Sequence, residues 1–474
     1  MVSVKDLNQK LLDAQYAVRG KIVDAAQKME EEGKKVIYCN IGNPQIFKQK
    51  PLTYVREVLS LVTYPDILKN ENNLSGYHKD SIKRAKYILE KMPMGVGAYS
   101  QSPGVPFIRE ACADFIRRRD NIEAKKERII LTDGASKGVQ AVLFALLRNE
   151  NDGIMIPIPQ YPLYSATLTL YGGKQVDYYL DEDNNWELDE ESLKKSYRQA
   201  KDNGINPVAI TIINPGNPTG AVLSEDNIKM VINFARSHNL AILADEVYQE
   251  NVYKTNKKFH SFAKVMVGMK IDDVALFSFH SMSKGFYGEC GIRAGYFELR
   301  NIPEDVLAQF IKQQSISLCS NVVGQVATYL MVTPPVKGEE SFDLYIKERD
   351  GILNDLKEKA RILGEGINKV PGMYCEVPEG AMYAFVRFEL PDTEDISKMN
   401  DEELNLYCAK RDEDYCMKLL EETSICVVPG SGFGQRPGTL HFRTTFLPPK
   451  EDIEELVDKI KVFHTKYSEA MKKI

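Results

Sequence analysis

Between Arg128 and Leu299 short apolar runs alternate with stretches of helical period, and this alternation narrows the fold more than any other feature of the chain. Strands are predicted over residues 128–131, 154–158, 174–180, 207–213, 240–244, 274–279 and 294–299. Helices are predicted in the intervals, one closing at Leu147 and others over 188–199 and 228–238. Strands that alternate with helices fit a mainly parallel α/β sheet covered on both faces. Open sheets of that kind bind ligands at the carboxyl ends of their strands, so the residues just past each run are the candidates for chemistry.

The densest of these ends follows Val274–Phe279: Ser281-Met-Ser-Lys284-Gly-Phe-Tyr-Gly-Glu-Cys-Gly-Ile-Arg293-Ala-Gly-Tyr296. A neutral lysine amine can form a Schiff base with an aldehyde. Hydroxyls and a guanidinium fork suit a phosphate, and glycines let backbone and ligand approach closely. The stretch therefore suits an aldehyde that carries a phosphate, although a Gly-rich loop with solvated Lys and Arg would read the same way. Leu240–Ala244 delivers Asp245, a carboxylate that is costly to bury unless it meets a cation. Pro207–Ile213 runs into Asn214-Pro-Gly-Asn217-Pro-Thr-Gly220, which must turn. Ile154–Ile158 ends near Tyr161, an aromatic suited to stacking on a flat ring or to packing. Thr132-Asp-Gly-Ala135-Ser136-Lys137 leads into a helix, and free amides at such a turn make an anion site.

The flanking segments are read more coarsely. One helix is predicted over 7–32, from apolar positions Leu11, Ala14, Val18, Ile22, Ala25 and Met29. A short strand, 36–39, then ends in Ile41-Gly42-Asn43-Pro44. Helices are expected over 54–63, 80–92, 105–119, 303–318, 322–331, 345–370, 401–422 and 453–463. Strands are expected over 373–377, 382–388, 425–428 and 439–446, the last carrying Arg443 among apolar neighbours; such an arginine normally has a carboxylate partner. The Gly-rich 429–434 lacks the context of a nucleotide loop and reads as a turn.

Composition excludes several classes. At 474 residues the chain should form two or more units. A net charge of −6 with no basic stripe argues against nucleic acid or an anionic membrane as partner. Eight scattered cysteines without a CxxC pair, and only six histidines, point to reduced thiols rather than disulfides or a metal centre. No run is long enough to span a membrane, and the N-terminus lacks a signal peptide's apolar core. The cytoplasm is the expected compartment.

The lysine stretch resembles the Schiff-base motif of fold-type I aminotransferases, and its Gly-Glu-Cys-Gly wording looks most like the alanine aminotransferases. Other motifs of that family follow in order from Gly42 to Arg443, so the resemblance spans nearly the whole chain. It implies pyridoxal 5'-phosphate as cofactor and no metal. Lys284 would bond the aldehyde and move the substrate's Cα proton, and Asp245 would keep the ring nitrogen protonated. Asn217 and Tyr248 would meet the ring oxygen, and Tyr161 would stack on the ring. Ala135, Ser136, Ser281 and Arg293 would hold the phosphate, with Tyr99 reaching it from the neighbouring subunit of a homodimer with shared sites. Gly42, Asn217 and Arg443 would take the substrate, Arg443 at the α-carboxylate. Residues 1–50 and 345–474 would form a smaller α+β domain, and 51–344 the cofactor-binding domain. The implied reaction is L-alanine plus 2-oxoglutarate to pyruvate plus L-glutamate, with glutamate–glyoxylate transamination as the alternative. A lyase of the aminocyclopropane-carboxylate synthase kind shares most of these motifs. A transcription regulator on the same fold would need a DNA-binding domain ahead of the Ile-Gly-Asn-Pro turn.

Overall fold

A computed structural model describes residues 2–16 and 20–472. The N-terminal part departs from the expected single helix. Gln9–Asp13 forms one short helix, Ala14 is extended (ψ 125°), and Lys21–Glu31 forms a second. Periodicity suggested one continuous helix because tertiary contacts are invisible to it. The short helix packs against the helix Leu163–Tyr171 instead of continuing into the next. Val18 lies outside the described residues. Strand β1 (Ile37–Tyr38) follows.

The central sheet is built as the alternation predicts. Its strands are β2 (Ile129–Thr132), β3 (Asp152–Ile158), β4 (Lys174–Tyr179), β5 (Asn206–Ile213), β6 (Ala241–Asp245), β7 (Leu276–Ser281) and β8 (Gly295–Arg300). They lie in the order β2-β8-β7-β6-β5-β3-β4. All pairings among β3 to β7 are parallel, and β8 alone runs the other way between β2 and β7. Strands β2, β3 and β7 are buried along their whole length, as a sheet covered on both faces requires. Register fixes the site: Asp245 pairs with Ile213 on one side and Phe279 on the other. The turns that follow β5, β6 and β7 therefore emerge level with one another.

Beyond the sheet, the 26-residue helix Phe342–Ile367 links two apolar cores. Its Tyr345 packs with the helices that cover β8, and Leu356, Ala360, Leu363 and Ile367 belong to a second core. That second core also takes Ile22, Met29 and Ile37 from the N-terminal part, joining the two ends of the chain. It carries β9 (Met373–Tyr374), β10 (Tyr383–Phe388), β11 (Ile425–Cys426), β12 (Val428–Pro429) and β13 (Leu440–Thr445). Strand β11 pairs in parallel with β1, and the rest form an antiparallel sheet β12-β13-β10-β9. The last helix runs from Lys450 to Met471, eight residues past the expected end at Phe463. Helices at Leu163–Tyr171 and Phe262–Gly268 carry no expectation from the sequence pattern. Among the described residues no helix is long and apolar enough to cross a membrane. No cluster of three metal-ligating side chains occurs among them either.

Candidate active site

The ends of β5, β6 and β7 open into a cavity of about 160 Å³. Its walls bring together Ala135, Ser136, Tyr161, Asn217, Asp245, Tyr248, Ser281, Lys284 and Arg293, which lie far apart in the chain. Gly42, just after β1, and Arg443, on β13, reach residues of its wall from outside the central sheet. Lys284 Nζ donates to the Gly42 carbonyl at 2.8 Å. Arg443 Nη1 donates to Asn217 Oδ1 at 3.2 Å, and its Nη2 donates to the Asn40 carbonyl.

Three features of this cavity call for a ligand. The first is Asp245, buried at the end of β6. Burial pushes its carboxyl up to about 6, while Tyr164, the Val247 amide and the charge of Lys284 pull it down. The Tyr164 hydroxyl donates to Asp245 Oδ2 at 3.0 Å, and no ion pair reaches the carboxylate among the described residues. A buried carboxylate in this state suits a cationic ring nitrogen.

The second is the anion cradle. The helix Ala135–Leu146 starts at Gly134, which offers no side-chain cap, so the first-turn amides stay free. Gly134 has φ +76°, and a Cβ there would lie 2.5 Å from Arg293 Nη2. Arg293 itself adopts φ 58°, a left-handed backbone unusual for a side chain of its size. That turn brings its guanidinium to the Asp133 carbonyl (2.9 Å) and Ser136 Oγ (3.1 Å). Cation, hydroxyl and helix N-terminus together suit a phosphate.

The third is Arg443. Its side chain is 1% exposed, its Nε has no partner, and no carboxylate pairs with it among the described residues. The guanidinium carbon instead lies 4.2 Å from the Tyr383 ring centroid and 4.4 Å from that of Phe433. Sandwiched between two rings, it keeps its charge but gains no counter-ion. Among the described residues the carboxylate expected from sequence is missing, which leaves the role to a ligand.

Several residues here carried no signal in the sequence reading. Tyr164 sits three positions after Tyr161, on a helix that periodicity missed. Phe433 lies in the Gly-rich stretch, which does form a tight turn of 3₁₀ helix. Tyr383 opens β10, where alternation marks a strand but not which phenol faces the lysine. Tyr16, 39% exposed, hydrogen-bonds the Tyr161 hydroxyl at 3.1 Å from the N-terminal segment. Tyr99 is not in the cavity of its own chain and is 78% exposed.

A lysine, an anion cradle, a buried acid and an unpaired arginine on one α/β sheet define a pyridoxal-phosphate enzyme, and the donor set fits that cofactor. The chain belongs to the aminotransferase class I and II family, whose model matches residues 68–460. It is 49% identical to a Dictyostelium discoideum protein named as a probable mitochondrial alanine aminotransferase, over 98% of this chain and 89% of that one. It is 45% identical to glutamate–glyoxylate aminotransferase 2 of Arabidopsis thaliana, over 98% and 96% of the two chains. The solved alanine aminotransferase from Pyrococcus furiosus superposes with a TM-score of 0.76 at 26% identity, covering 97% of this chain and 100% of that one.

Proposed function

We propose that this aminotransferase moves the amino group of L-alanine to 2-oxoglutarate, giving pyruvate and L-glutamate. The observation that carries the reading is Arg443, without an ion-pair partner among the described residues and bonded to Asn217 in the wall of the cavity that holds Lys284, since every substrate of this exchange presents an α-carboxylate. A planar guanidinium takes that carboxylate in bidentate fashion. When bound, pyridoxal phosphate supplies the aldehyde that joins the amino group and a ring that spreads the charge left on Cα. Lys284 Nζ takes the Cα proton and later returns one. Asp245 would hold a proton at the ring nitrogen, and Ser136, Ser281, Arg293 and the Ala135 amide would hold the phosphate. Asn217 and Tyr248 would serve the ring oxygen, and Tyr161 would cover the ring.

Alanine as donor is supported by the Dictyostelium relative and by the Gly-Glu-Cys-Gly wording of residues 288–291. Glutamate–glyoxylate exchange is the second reading, favoured by the Arabidopsis relative. A panel of amino donors against 2-oxoglutarate and glyoxylate, scored by product, separates them; glyoxylate preference with poor alanine use overturns the first.

We further propose a homodimer in which Tyr99 of each chain serves the phosphate of the other. Its exposure away from its own cavity is consistent with that role. For the compartment we favour the cytoplasm, since all eight cysteines are free. The matrix is also reducing, and the Dictyostelium relative is named mitochondrial. Fractionation of the full-length protein distinguishes the two.

A further inference from the structure

We propose that Tyr383 is a positioning residue that ties the carboxylate anchor Arg443 to the amine of Lys284. Its ring would fix the guanidinium, and its hydroxyl oxygen would accept from the lysine. The inference rests on the reading of Lys284 as the proton carrier.

The argument begins with strand register. In the antiparallel pair of β10 and β13, Tyr383 lies opposite Thr445, and Phe385 opposite Arg443. Residues opposite each other project to one face, and diagonal neighbours two positions away are within reach of long side chains. Tyr383 and Arg443 are such a diagonal pair, which explains why the guanidinium carbon lies 4.2 Å from the ring centroid. The ring is held at its base as well. The Met382 carbonyl accepts from Thr445 Oγ1 at 2.7 Å, and the Ala381 carbonyl accepts from the Tyr253 hydroxyl. With 3% of its surface exposed, Tyr383 has little room to turn.

This rigid ring places its hydroxyl against Gly42, whose carbonyl the lysine bonds. A Cβ built on Gly42 would lie 2.0 Å from the Tyr383 hydroxyl and 3.0 Å from Lys284 Nζ, so all three groups crowd one small volume. A glycine at 42 is what lets the phenol and the amine meet there. Tyr248 joins them, its ring edge-on to that of Tyr383 with centroids 6.3 Å apart. Burial pushes the Tyr383 phenol up. The positive charges of Lys284 and Arg443, with the Tyr248 phenol beside it, nonetheless bring it below the ordinary tyrosine value. Tyr248, by contrast, is raised well above that value, chiefly by burial.

The consequence is chemical. A neutral amine that takes the Cα proton becomes an ammonium with three donors. Two oxygens then stand ready for it, the Gly42 carbonyl and the Tyr383 hydroxyl. Tyr383 neither gains nor loses a proton in the step; it stabilises the charge arriving at Nζ. Because the same ring braces Arg443, the amine and the carboxylate anchor keep a fixed separation as the proton moves.

The two roles separate by substitution. Tyr383→Phe keeps the ring and removes the oxygen. With alanine and the holoenzyme, single-turnover deprotonation should fall tenfold or more while KM stays within about twofold, and the isotope effect of Cα-deuterated alanine should grow. Tyr383→Leu removes the brace too and should raise KM as well. A second readout needs no turnover: the rate of acylation of Lys284 at one fixed pH in cofactor-free protein, followed by mass spectrometry. Loss of the Tyr383 oxygen should raise that rate about twofold or more, since the ammonium loses an acceptor. Wild-type proton transfer, isotope effect and acylation rate in Tyr383→Phe would overturn this inference alone. Near-normal turnover in Lys284→Ala would instead overturn the reading it rests on.

Discussion

The Tyr164 hydroxyl donates to Asp245 Oδ2 at 3.0 Å beside the active-site cavity, holding a buried carboxylate that no cation bonds among the described residues. A buried carboxylate in that state suits a positive group. The cost of burial is measurable. The Asp245 carboxyl is raised to about 6, so the folded chain binds more protons than the unfolded chain between about pH 4 and pH 6. Stability of the cofactor-free protein should fall as pH rises through that window and then level off.

Asp245→Asn removes this penalty. Without cofactor at pH 7.5, the variant should be more stable than the wild type by about 2 kcal/mol, read as a higher Tm. With cofactor the order should reverse, because an amide gives no charge to a ring cation. Single-turnover deprotonation should drop by several factors of ten, each worth about 1.4 kcal/mol of barrier. An unchanged rate would remove Asp245 from the ring nitrogen.

Arg443→Lys keeps the charge but loses the planar fork. Alanine and 2-oxoglutarate should both bind more weakly, with KM rising about tenfold or more for each (about 1.4 kcal/mol). A rise for one substrate alone would make Arg443 a side-chain selector instead of the common anchor.

Shared sites can be tested by mixing chains. One carries Lys284→Ala; the other carries Tyr99→Glu, which would repel a phosphate. If Tyr99 serves the opposite subunit, each hybrid has one site with both lesions and one with neither, as two-fold symmetry demands. Activity should recover toward about half the wild-type value per hybrid when the sites act independently. Verified hybrids without recovery would put Tyr99 outside the neighbour's site.

Much of this arrangement was legible in the sequence, because strand ends carry their chemistry with them. Asp245, the Asn214–Gly220 turn and the Ser281–Arg293 loop each follow an apolar run directly, so finding the strand located the residue. What escaped depends on contacts between distant elements. Leu163–Tyr171 is rich in β-branched and aromatic residues, yet it folds as a helix against its neighbours and so turns Tyr164 under Asp245. The N-terminal periodicity promised one helix, but the segment before Lys21 breaks at Ala14 and comes down on the site through Tyr16. Tyr383 could be assigned to a strand. Its approach to Lys284 exists only once β10 pairs with β13 and Gly42 leaves room.

The central claim is that Lys284 both holds the cofactor and carries the proton, and Lys284→Ala tests it most directly. The variant, loaded with pyridoxal phosphate and given alanine, should lose the absorbance band of the lysine-bound cofactor and nearly all proton transfer, falling by about five factors of ten or more, some 7 kcal/mol of barrier. A Lys284→Ala protein that transaminates alanine at close to the wild-type rate would contradict the account.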